Sequence, residues 1–198
     1  MRTKTLLVVV ALALLAFTFS APATFAQNLL TNGSFESGSF SGWTTGGNFE
    51  DTEVVTGPFY QYTGAEDGMY YAVLGPVGSD GTLSQSFSDH AGSQYTFSFW
   101  LAAVGDSPSD FSASWDGTQI YSATNPNTGG QWQQFSFTET GTGHDTISFA
   151  FRDDPGYIAL DNVSVTQQSG TVPEPSSILL LASGVLGLGS VARRKLSR

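Results

Sequence analysis

The chain has 198 residues, a formal net charge of −10 and no cysteine. Its acidic charge is concentrated between residues 28 and 166, where sixteen acidic residues accompany one basic residue, Arg152, for a net charge of −15. A surface this negative repels phosphate backbones, which argues against nucleic acid as a partner. Without cysteine, no disulfide stabilises the fold in any compartment.

Residues 1–26 predict a signal peptide. Arg2 and Lys4 precede an apolar run from Leu6 to Phe19, and small residues follow at the spacing that signal peptidase recognises. We place the cleavage after Ala26. This interpretation makes the Sec translocon and signal peptidase partners of the chain, and it removes these residues from the mature fold.

Residues 27–168 predict one all-β domain, of a size at which a single hydrophobic core is usual. Short aromatic and β-branched runs alternate with Gly, Ser, Asp and Thr, and no segment keeps a helical period. Asp116-Gly117 is a two-residue hairpin signal. The expected architecture is an antiparallel β-sandwich, such as a jelly roll. The nine predicted strands are 50–55, 69–74, 82–87, 95–101, 111–115, 118–121, 132–137, 146–151 and 158–165.

Strand alternation predicts a candidate carbohydrate site. Along the strand 95–101 one side carries Tyr95, Phe97, Phe99 and Leu101. The other side carries Thr96, Ser98 and Trp100. By the same rule Trp132 shares a side with Gln134. If these strands are neighbours, two indoles and an amide form one polar face, and sugars stack on aromatic faces and hydrogen-bond to polar groups. Two alternatives stay open: both tryptophans are framework residues, or the site is the aromatic loop 57–62.

The sequence contains little that predicts an enzyme. His90 and His144 are the only histidines, and no nucleophile elbow, HExxH motif or phosphate-binding loop is present. Adjacent carboxylates such as 66–67 and 153–154 point to opposite faces of a strand, so they would not form an acid/base pair. A polysaccharide-acting enzyme that uses two distant carboxylates is the least favoured alternative.

Several framework motifs of the domain carry a resemblance. Asn28–Gly38 opens the domain, Leu160–Val165 closes it, and 94–100, 115–117 and 132–135 lie between them. Over most of its length the domain resembles the galactose-binding-like jelly roll that many carbohydrate-binding modules share. The resemblance implies that the first and last strands lie side by side.

The same resemblance implies a structural calcium ion between those strands, with Glu36 and Asp161 as ligands. Calcium takes six to eight oxygens, which carboxylates and loop carbonyls can supply. Because the domain has a net charge of −15, a bound divalent cation would also reduce the repulsion among its acidic side chains. The alternative is that Asp161 satisfies only backbone groups and that Glu36 is solvated.

The C-terminus contains three ordered features. Pro173, Glu174 and Pro175 form a triplet that cannot enter a helix or a central strand. The apolar stretch 176–192 follows, at the lower limit of the roughly 17 to 25 residues that span a bilayer. The basic end 193–198 holds its side of the helix in the cytoplasm.

This tail resembles the PEP-CTERM sorting signal of exported proteins in Gram-negative bacteria. The resemblance implies transient anchoring in the inner membrane and cleavage near 173–175 by the membrane protease exosortase. An ordinary membrane anchor and a GPI signal are the alternatives.

Together these features predict an exported protein of the cell surface or extracellular matrix whose domain binds or associates with exopolysaccharide. The main alternative is a structural biofilm matrix protein without specific affinity for sugar.

Overall fold

The computed structural model describes residues 27–168, so the predicted signal peptide and sorting tail lie outside the described residues. Within 27–168 the chain forms strands and no helix, and therefore no helix there could cross a membrane. The strands are β1 (Thr44–Gly47), β2 (Thr52–Thr56), β3 (Tyr70–Leu74), β4 (Gly81–Ser88), β5 (Gln94–Ala102), β6 (Ser109–Trp115), β7 (Thr118–Thr124), β8 (Gln133–Thr140), β9 (His144–Asp153) and β10 (Ile158–Gln167).

The strands form two five-stranded sheets that pack as a β-sandwich. The first sheet has the order β1-β4-β9-β6-β7, the second has the order β2-β3-β10-β5-β8, and neighbours are antiparallel. The chain enters beside its last strand, as expected: Asn28 pairs with Thr166, and Leu29 N donates to Val165 O at 2.8 Å. Both sheets and their shared core lie within residues 27–168.

The core between the sheets is built by strand alternation. Tyr95, Phe97, Phe99 and Leu101 point inward from β5 and are at most 1% exposed. Phe99 is the centre of this packing, because six aromatic rings surround it at centroid distances of 5.3 to 6.1 Å. These rings come from strands of both sheets, so Phe99 joins the two layers.

All nine predicted strands are confirmed, with ends that differ by a few residues. The hairpin is confirmed too, because Asp116 and Gly117 have φ values of 47° and 74°, the left-handed pair that a two-residue turn requires. Sequence reasoning missed β1, whose residues TTGG contain no apolar side chain. β1 is an edge strand that pairs only with β4, so its pairing does not depend on burial.

A second apolar cluster covers half of the outer face of the second sheet. Its buried members are Tyr62, Tyr71, Val73, Ala102 and Ala159. The loop 57–65 supplies Tyr62 and further apolar side chains, so it folds back over the sheet. We call this region the covered half of the outer face.

Candidate functional site

The other half of that outer face carries Trp100 and Gln134. β5 and β8 are neighbours, as the prediction required, and Trp100 lies directly opposite Gln134. Below this pair, two rows of hydroxyl side chains cross β8, β5 and β10. The rows are Ser136–Ser98–Ser164 and Thr138–Thr96–Thr166. We call these two rows the hydroxyl rungs, and the rungs with Trp100 and Gln134 the open half.

The hydroxyl rungs are partly linked to one another. Ser98 Oγ lies 3.0 Å from Ser164 Oγ, and Gln168 Nε2 donates to Thr96 Oγ1 at 3.2 Å and to Thr138 Oγ1 at 3.1 Å. Neighbouring strands lie about 4.8 Å apart, so the rungs form a regular polar surface. Sequence reasoning placed Thr96, Ser98 and Ser136 on this polar side of their strands, but it did not extend the rows to Ser164 and Thr166 on β10.

Trp100 differs from the other three tryptophans. Trp43 and Trp115 are buried in the main core, and Trp132 packs against the second cluster. Trp132 is half-buried: its Nε1 donates to Gly64 O at 3.0 Å, and its ring meets Tyr71 edge-on at 5.8 Å. Trp132 therefore fastens the loop 57–65. Trp100 is half-buried on the outer face and belongs to neither cluster of the described residues.

The loop 57–62, the second candidate, is mostly committed to packing. Phe59 and Tyr62 pair across its tip, and Tyr62 is only 2% exposed. Phe59 and Tyr60 both meet the ring of Tyr157, at 5.0 and 5.5 Å. Only Tyr60, at 47% exposed, presents a large part of its ring to solvent.

Asp161, the first predicted metal ligand, lies opposite Trp100 on β10 and is fully buried. Its Oδ2 accepts hydrogen bonds from the backbone N–H groups of Glu66 at 2.8 Å and Asp67 at 3.1 Å, and its Oδ1 accepts one from Asn162 at 2.7 Å. Burial raises the pKa of Asp161 to about 7, although these three donors act in the opposite direction. The carboxylate holds the loop before β3 onto the sheet.

Glu36, the second predicted ligand, hydrogen-bonds to the end of the same loop and the start of β3. Its Oε1 accepts hydrogen bonds from the N–H groups of Met69 and Tyr70, both at 2.8 Å. Gly68 lies so close that a Cβ there would come within 2.3 Å of Glu36 Cδ. Both carboxylates thus reach residues 66–70, but backbone donors already occupy Glu36 Oε1 and both oxygens of Asp161.

Within residues 27–168, no group of three or more Asp, Glu, His or Cys side chains is placed to hold a metal ion. At Glu36 and Asp161, backbone N–H groups occupy three of the four carboxylate oxygens. Calcium at these two residues stays a prediction.

Comparison with known proteins identifies the tail. Residues 171–195 match the PEP-CTERM protein-sorting motif, which indicates an exported protein with transient membrane anchoring. These residues include Pro173, Glu174 and Pro175 and lie outside the described part of the structure. No curated protein matches the chain in sequence.

Solved structures share the fold of the domain. TmCBM61, in complex with β-1,4-galactotriose, matches with a TM-score of 0.59 and 20% identity, over 72% of this chain and 100% of that one. The CBM22-1 xylan-binding domain of Xyn10C from Paenibacillus barcinonensis matches with a TM-score of 0.52 and 20% identity, over 75% and 99% of the two chains.

A cyclase from Fischerella sp. TAU has the same fold, with a TM-score of 0.54 and 17% identity over 74% and 100% of the two chains. Identities this low show the fold alone, so the ligand has to be argued from the site. The chain therefore combines a β-sandwich that shares the fold of these solved structures with a C-terminal segment that matches the PEP-CTERM protein-sorting motif.

Proposed function

We propose that residues 27–168 are a carbohydrate-binding domain, and that exopolysaccharide binds on the open half of the second sheet. The observation that carries this proposal is Trp100. It is the one tryptophan of the domain that neither fills the core nor fastens a loop, and it lies on a face otherwise made of hydroxyl and amide groups.

The chemistry of the face suits a sugar chain. A pyranose ring can stack its C–H face on the exposed part of the Trp100 indole. Gln134 beside it is exposed and offers both donors and an acceptor, and Ser136 and Thr138 continue the exposed polar surface along β8. The charge of −15 disfavours anionic polymers, so a neutral polysaccharide is the expected ligand.

The test compares variants on the two faces of the sandwich. Trp100→Ala and Gln134→Ala should each weaken binding of the purified domain to the host's polysaccharide about tenfold or more, which corresponds to about 1.4 kcal/mol. Ser148→Ala, on the outer face of the first sheet, is the matched control and should bind like the wild type. If the wild type binds the polysaccharide and both open-half variants bind it equally well, the open half is not the binding site.

The alternatives predict different results in the same experiment. A structural matrix protein without specific affinity would show no saturable binding by the wild type. An enzyme would shorten the polymer, which chain-length analysis after incubation would detect. The shared fold of the cyclase means that fold alone does not decide between binding and catalysis.

We also propose that exosortase cuts the chain near Pro173–Pro175 and delivers the domain to the surface or matrix of a Gram-negative bacterium. The sorting-motif match supports this proposal. Replacing residues 173–175 with alanine should leave an uncleaved precursor in the inner membrane, as judged by fractionation and intact mass. Normal maturation of this variant would contradict the proposal.

A further inference from the structure

Asp106 and Asp153 lie at one end of the sandwich, where Ser109 pairs with Asp153 and its Oγ donates to Asp106 O at 2.6 Å. Asp106 lies in the β5–β6 loop, Asp153 ends β9, and Tyr60 comes from the β2–β3 loop. Tyr60 Oη donates to Asp106 Oδ2 at 2.8 Å. A Cβ on Gly156 would come within 1.9 Å of that same oxygen, so the Asp106 carboxylate fills the space that a larger residue would need.

Asp153 is the unusual member of this group. Its side chain is 2% exposed, and its Oδ1 is buried without a hydrogen-bond partner. Leaving a buried charged oxygen unpaired is costly, so such an atom calls for a compensating ligand. Burial raises the pKa of Asp153 to about 7, and the negative charges of Asp106 and Asp154 add to this rise.

No side-chain cation of the domain compensates this charge. Arg152 is the only Lys or Arg between residues 27 and 168. Its guanidinium is held by Asp154, with Nε donating to Asp154 Oδ2 at 2.8 Å and a second nitrogen bonded to the same oxygen. Any positive charge between Asp106 and Asp153 therefore has to come from solution.

We propose that a divalent cation of the calcium class binds between Asp106 and Asp153. The two carboxylates supply up to four of the six to eight oxygens that calcium takes, and water can supply the others because Asp106 is only half-buried. Asp161 lies on β10 of the second sheet and is held by Glu66, Asp67 and Asn162, whereas Asp153 ends β9 of the first sheet. The proposed site is therefore separate from the one predicted at Glu36 and Asp161, and it does not depend on sugar binding.

Terbium luminescence tests the site directly, because terbium replaces calcium and tyrosine excitation sensitises it. The domain should give a saturable signal that calcium displaces. Asp106→Asn and Asp153→Asn should each lose most of it. Glu139→Gln, a carboxylate on β8 at the opposite end of the second sheet, is the matched control and should keep it. Tyr60→Phe should weaken the luminescence through loss of the nearest sensitiser.

Melting temperature provides a readout that does not depend on terbium. Calcium at about one hundred times its dissociation constant should raise the melting temperature of the wild type by about 8 °C, and the Asp153→Asn domain should gain much less. In chelator, Asp153→Asn should be at least as stable as the wild type, because the amide keeps the shape and removes a buried negative charge.

Two results would overturn the proposal. One is a wild-type domain that shows neither terbium luminescence nor a calcium-dependent shift in melting temperature. In that case a bound proton, and not a cation, neutralises the buried Asp153 carboxylate. The other is a signal that survives in Asp106→Asn and Asp153→Asn but disappears in Asp161→Asn.

Discussion

Phe99 and Trp100 are adjacent on β5 and point to opposite sides of the second sheet, so alanine at each should have very different effects on folding. Phe99 is fully buried among six aromatic rings. Replacing a buried Phe with Ala costs roughly 3 to 5 kcal/mol, and the loss of so many aromatic contacts favours the upper end. Trp100 is half-buried outside both clusters, and its removal should cost roughly 2.5 kcal/mol, because about 100 Å² of indole surface loses its contact with the protein.

Domains of this kind have a total stability of roughly 5 to 15 kcal/mol, so Phe99→Ala should lower the melting temperature by about 15 °C or leave little folded protein. Trp100→Ala should lower it by about 8 °C. Thermal denaturation followed by circular dichroism measures the two melting temperatures, and urea denaturation measures the two losses of unfolding free energy. Neither relies on indole fluorescence. Equal losses, or a larger loss for Trp100, would show that Trp100 is a core residue and would remove the basis of the proposed carbohydrate site.

Two further predictions concern carboxylates: the first concerns Glu36 and Asp161, and the second concerns the buried Asp153 and Asp161. If Glu36 and Asp161 hold calcium, chelation should lower the melting temperature of the Asp153→Asn domain, which lacks the other proposed cation site, and adding Asp161→Asn should abolish this response; a curve that chelator leaves unchanged in the Asp153→Asn domain would contradict calcium at Glu36 and Asp161. The raised pKa of Asp153 and Asp161, each about 7 against an ordinary 3.8, means that the folded state binds these protons more tightly than the unfolded state does. The metal-free domain should therefore lose stability as the pH rises from 5 to 7, by about 3 kcal/mol per group as an upper limit, and the loss should shrink in the Asn variants; equal stability at pH 5 and pH 8 would contradict these values.

Alternation made much of the fold predictable from sequence. A strand with one face in a core needs apolar residues at every second position, and 95–101 shows this pattern clearly. The same pattern correctly placed Trp100 and Gln134 on one face. β1 could not be found in this way, because an edge strand of Thr and Gly carries no burial signal.

Other features depend on contacts between segments distant in sequence. Trp132 follows the alternation rule, yet the loop 57–65 folds over its face and takes up its indole N–H. Sequence reasoning singles out Asp153 as one of two adjacent carboxylates, and its burial at the end of β9 has no local signal. The interruption of the ladder between Asp161 and Ser164, where Asn162 has a φ of 46°, also has no local apolar pattern to mark it.

The position of β10 has a mechanical consequence. The sorting tail continues from Gln167, and β10 is the central strand of the second sheet, held by β3 on one side and β5 on the other. A pulling force on this end of β10 would have to break its pairing with β5 along most of the strand and with β3 at Ile158–Leu160, whereas an edge strand would separate from one neighbour. The proposed ligand-binding residue Trp100 lies on β5, one ladder away, so load from a bound polymer would reach the C-terminal end of the domain, which remains after cleavage near Pro173–Pro175, through a strand that is paired on both sides.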